Sequence, residues 1–107
     1  MTPEQRVARI KKLVSAAKAL LSLQVGLAVG AQRIDRILRW LEPEIQSNHQ
    51  IFSEFISAIP AGLPLGSARL LWEPNKLLEN DPILSKIENK YRAPILQECL
   101  NIIQIYG

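Results

Sequence analysis

Residues that carry chemistry are scarce in this chain of 107 residues, which has one cysteine, Cys99, and one histidine, His49. A lone cysteine excludes an intrachain disulfide and suits a reducing compartment. No Asn-x-Ser/Thr acceptor is present, which agrees with a cytoplasmic setting. There is no His pair, Cys cluster or His/carboxylate spacing of the kind that holds zinc. Gly-x-Ser-x-Gly, P-loop and Gly-x-Gly-x-x-Gly patterns are also missing. No cofactor or metal is therefore expected, and an enzyme ranks last among the functional readings. His49, in "SNHQ", reads as a polar-face residue, and Cys99, among Ile95, Leu96, Ile102 and Ile103, as a small buried hydrophobe.

Long apolar runs are lacking too. Fourteen residues separate Lys18 from Arg33, and they include Ser22 and Gln24. A membrane-spanning helix needs about 20 apolar residues, so no membrane span is expected. A secretion signal is a closer competitor, because a basic leader precedes an apolar stretch and Val29-Gly30-Ala31 resembles a cleavage site. Glu4 in the leader, and a helical pattern that continues past Ala31, argue against it.

What is present is a globular composition, 48% apolar and 21% charged, with room for one domain over 1–107. Pattern supplies the fold class. Thr2, Pro3 and Gln5 form a helix start with a capping box. From there Ile10, Leu13, Ala17, Leu20, Gln24, Leu27, Ala31, Ile34, Leu38 and Leu41 follow each other at alternating three and four spacing, nine of the ten apolar. A seven-residue period of this length marks a helix–helix seam. Pro43 ends it.

A second helix is expected over about 44–59, with Ser47 and Gln50 as a capping box and Ile45, Phe52, Phe55, Ile56 and Ile59 as its stripe. "PAGLPLG" (60–66) reads as a loop. A short turn follows with Leu70, Leu71 and Trp72. Asp81-Pro82 starts another helix, which Pro94 interrupts or replaces with a last one. The sequence thus predicts an all-α protein. A long N-terminal helix (about 3–41, kinked or broken near Gly26–Gly30 if not continuous) packs with three or four shorter helices in a bundle. The unbroken phase of the heptad favours the continuous or kinked form, and a break would give an antiparallel hairpin and a monomer.

A continuous helix of that length would measure about 58 Å and outreach a compact domain of this size. Its apolar faces would then need a partner, and a second copy is the simplest one. Leu20, Gln24, Gly26, Leu27, Gly30 and Ile34 are the candidate contact residues. Ser22, Gly26 and Gly30 would form a close-approach strip, with Gln24 as a polar marker of register.

Charge is unevenly placed. Residues 1–41 hold eight basic and two acidic side chains, and residues 42–107 hold five basic and eight acidic. "RVARIKKL" and "RIDRILRW" repeat one pattern, so that Arg6, Arg9 and Lys12 answer Arg33, Arg36 and Arg39. The offset of 27 residues puts the two stripes on opposite sides of a straight helix and brings them together only on a hinged one. Such stripes attract phosphate, yet no recognition helix or stacking-aromatic pattern accompanies them. Pairing with the acidic remainder is the plainer expectation. The favoured reading is a non-enzymatic protein-interaction module, dimeric through the N-terminal helix and acting on an unidentified protein partner. A nucleic-acid-binding regulator is the alternative.

Overall fold

The structure, a computed structural model, describes residues 2–60, 63 and 65–107. It is all-helical: α1 (Pro3–Leu21), α2 (Leu27–Leu38), α3 (Pro43–Asn48), α4 (Ile51–Ala58), a 3-10 helix (Gly66–Leu71) and α5 (Pro74–Tyr106). Among the described residues no helix is long and apolar enough to cross a membrane. Residues 61, 62 and 64 of the expected Pro/Gly loop lie outside the described ones.

Helix α1 starts where the sequence predicts. The Thr2 Oγ1 accepts from the Gln5 N–H and the Gln5 Oε1 accepts from the Thr2 N–H, both at 3.1 Å. Two orphan donors of the first turn are thereby satisfied. The expected 3–41 helix, however, stops at Leu21. Leu23 adopts φ 60°, its N–H reaches the Leu20 carbonyl at 3.2 Å, and the Gln24 N–H reaches that of Ala19 at 3.0 Å. This nested pair of bonds around a left-handed residue is a standard helix stop. The chain then reverses, and Gly26 becomes the N-cap of α2.

The apolar period holds across the break, and the chain takes the hairpin alternative in which the stripe finds its partner within the chain. Leu13, Ala17, Leu20, Leu27, Ala31, Ile34, Leu38 and Leu41 are all buried, and they face one another and α5 within one chain. Four turn residues plus Gly26 keep the heptad phase, with Leu20 and Leu27 seven apart across the break. Gln24 falls in the turn and is exposed, so it marks no register. Of the three small residues, only Gly30 makes a close approach. A Cβ there would lie 2.6 Å from Leu20 Cδ1 and 2.9 Å from Val25 Cγ2, whereas at Gly26 it would meet nothing within 4 Å.

The expected 44–59 helix is divided at His49–Gln50 into α3 and α4. Ser47 Oγ donates back to the Pro43 carbonyl at 2.9 Å instead of capping, and Gln50 makes no side-chain cap. Phe52 and Phe55 of α4 are fully buried, the latter against Tyr91 with ring centroids 5.4 Å apart.

The long helix is C-terminal. Helix α5 runs 33 residues through both Pro82 and Pro94, where a start and an interruption were expected. At 1.5 Å per residue it is about 50 Å long, which matches the 48 Å long axis of the molecule. Pro82 and Pro94 are exposed, as are Leu78 and Lys90 four residues before each. The carbonyls that lose a donor to each proline thus lie on the water side. Ile95, Cys99 and Ile102 plug the core, and α5 packs against α1, α2 and α4. No residue of 74–83 is fully buried. A two-pronged pair, Arg69 Nη1 to Asp81 Oδ1 at 2.7 Å and Nη2 to Oδ2 at 3.0 Å, ties the 3-10 helix to this projecting part.

Candidate functional site

The two basic stripes meet because the chain folds back. Antiparallel packing of α1 and α2 brings Arg9 and Lys12 opposite Arg36, around a groove of about 340 Å³ that Ile37 and Trp40 complete. A second groove, of about 310 Å³, continues it along the same seam between Lys12, Ser15 and Ala19 on α1 and Arg33 and Ile37 on α2. Lys12 and Ile37 belong to both. Four of the six basic candidates therefore converge. Among the described residues Lys12, Arg33 and Arg36 enter no ion pair, and all three side chains are exposed.

The other two are diverted. Arg6 pairs with Glu42 at 2.5 Å. Glu42's own backbone N–H and the Arg6 guanidinium hold its carboxyl below the usual range, against a smaller opposing effect of burial. Arg39 pairs with Asp35, one turn earlier, at 3.0 Å. It borders a different cleft, with Asp35, Gln46 and Glu54, where the signs of charge are mixed. Of the expected pairing with the acidic remainder, Arg6–Glu42 is formed, and among the described residues Lys12, Arg33 and Arg36 leave the α1/α2 seam charged.

Sequence reasoning missed Trp40. The residue is 63% exposed, a costly placement for an aromatic with no role in the core. Arg9 holds it in place twice over. The Arg9 guanidinium carbon lies 5.4 Å from the ring centroid, and Arg9 Nη1 donates to the Trp40 carbonyl at 2.9 Å. The signal was present as "RILRW", but nothing local tells whether that tryptophan turns inward or outward.

His49 is also corrected. It is not on a polar face but 2% exposed, with Nδ1 2.5 Å from Glu98 Oε1 and Nε2 3.0 Å from the Tyr106 hydroxyl. Both ring nitrogens of His49 thus have a partner, the Glu98 carboxyl on one side and the Tyr106 hydroxyl on the other. Asn101 Nδ2 donates to the other Glu98 oxygen at 3.2 Å. Burial, more than the nearby Glu98 and Glu42 carboxylates and against the pull of Arg6, pushes the Tyr106 hydroxyl above its ordinary value. That is the reverse of an activated tyrosine. The network clamps the α3/α4 junction to the last turn of α5. Cys99 is likewise withdrawn from chemistry, since burial first and Glu98 second push its thiol up to about 12.

Among the described residues no group of three or more His, Cys, Asp or Glu could hold a metal ion. No protein-family model, curated protein or solved structure matches this chain.

Proposed function

We propose that this chain is a binding module, not an enzyme, and that its ligand is a nucleic acid held by its phosphates in the α1/α2 groove. One observation carries the reading. The reversal at residues 22–26 assembles Arg9, Lys12, Arg33 and Arg36 on a single seam beside an exposed indole. Clustered cations with few acidic neighbours raise the local phosphate concentration and release counterions on binding. Dimerisation through the N-terminal seam loses its support here, because Leu20, Leu27, Gly30 and Ile34 are buried within the chain. The lone cysteine supports a cytoplasmic setting.

Titration of labelled single- and double-stranded oligonucleotides at rising salt tests the proposal. Three to four phosphate contacts give a slope in log K against log salt of about −2 to −3 on single strands and about −3 to −4 on duplexes. The triple variant Lys12→Ala/Arg33→Ala/Arg36→Ala abolishes the salt-dependent part. An absence of binding at low salt refutes the proposal.

A second reading rests on a different surface. Leu70, Leu71 and Leu78 are 86%, 88% and 71% exposed, on the 3-10 helix and the unsupported start of α5. Exposed leucines of this kind fit a protein contact, including one with a second copy. Light scattering across a concentration series distinguishes a self-associating chain from a monomer.

A further inference from the structure

We infer that the groove selects single-stranded nucleic acid, with one unpaired base stacked on Trp40. This rests on the nucleic-acid reading above and adds the strand state and the residue that determines it.

The basic side chains line the furrow between two packed helices, not the crest of one. Helices about 10–12 Å across whose axes lie 8–10 Å apart form a unit roughly 20 Å wide. The major groove of a duplex is about 12 Å wide, so the pair cannot enter it. A duplex laid across the furrow would present phosphates alone. Its bases, stacked on one another, would leave Trp40 unused.

A single strand matches what is there. Arg33 on α2 to Trp40 just beyond its end spans about 10 Å, a short run of nucleotides and well below the ~34 Å of one duplex turn. Lys12, Arg33 and Arg36 flank that run for the backbone, and Trp40 closes one end. The Arg9 guanidinium sits against the indole, yet the residue remains 63% exposed, so Trp40 keeps surface to offer a base. A cation behind the ring fixes its orientation, so little side-chain freedom is lost when a base stacks. Stacking of this kind is tolerant of base identity because every base has a π-face. Sequence-tolerant binding is therefore expected.

The full chain carrying Trp72→Phe makes Trp40 the sole indole reporter. It is titrated at low salt with a 12-mer DNA strand, the RNA of the same sequence, and the corresponding DNA duplex. Both single strands should quench Trp40 fluorescence and bind at least tenfold tighter than the duplex. Trp40→Ala should cost single-strand affinity about tenfold, Trp40→Phe much less, and neither should alter helical content, since the ring lies outside the core. Equal or tighter duplex binding with Trp40 unquenched overturns this inference and leaves the nucleic-acid reading standing. Unchanged single-strand affinity in Trp40→Ala does the same. Failure of every oligonucleotide to bind overturns both.

Discussion

Leu23 holds φ at 60°, a conformation that costs an L-residue about 1–2 kcal/mol, and its side chain is 76% exposed and recovers nothing by packing. Glycine relieves that cost but loses more freedom on folding. Leu23→Gly should therefore raise stability by about 0.5–1 kcal/mol, read from the urea midpoint. Gly30 works in the opposite direction. Alanine is the better helix former, but its Cβ would press on buried Leu20 and on Val25. With overpacking at roughly 1–3 kcal/mol, Gly30→Ala should lower stability by about 1 kcal/mol. A destabilising Leu23→Gly or a stabilising Gly30→Ala would place the turn elsewhere. Cys99 sets an alkaline limit. Its thiol titrates at 9.0 when unburied and about 12 in the fold, so the folded state prefers the protonated form. That contribution is complete below pH 9 and is lost as pH rises toward 12. Tyr106 is shifted in the same direction. The urea midpoint should fall across this window, less steeply in Cys99→Ala.

At the scale of elements, the start of α1 is legible in the sequence and its stop is not. Thr2, Pro3 and Gln5 mark the start of α1 by local bonds that the residue types themselves specify. Its end is hidden because the left-handed position, which glycine usually marks, is held by Leu23, while Gly26 and Gly30 a few residues on draw attention away. The heptad then runs in phase through the turn and disguises two facing stripes as one. Pro82 and Pro94 mislead in the opposite sense. A proline normally bounds a helix, yet here the broken bonds face water while Ile95, Cys99 and Ile102 pull the chain onward into the core. An interior proline costs about 3 kcal/mol. Pro94→Ala should accordingly stabilise α5, by about 2 kcal/mol after local relaxation, with helical content preserved. No gain on removing Pro94 would mean that α5 is two helices.

At the scale of the whole molecule, the placement of charge and the placement of the break are one feature. The repeated pattern around Arg9 and Arg36 is visible in the sequence. Whether the copies oppose or join depends on a reversal made of Ser22 to Gly26, and no composition or charge count reveals it. The His49 clamp is hidden for a related reason, because its partners Glu98 and Tyr106 lie 49 and 57 residues away. The binding proposal thus rests on the α1–α2 hairpin more than on any single contact. Spin labels at Lys12→Cys and Arg36→Cys, in a Cys99→Ala chain diluted with unlabelled protein to suppress intermolecular distances, measure it directly. The hairpin predicts one narrow distance population below about 20 Å, because two packed helices lie 8–10 Å apart. A continuous helix would place the labels about 36 Å apart at 1.5 Å per residue, and that distance would contradict the account.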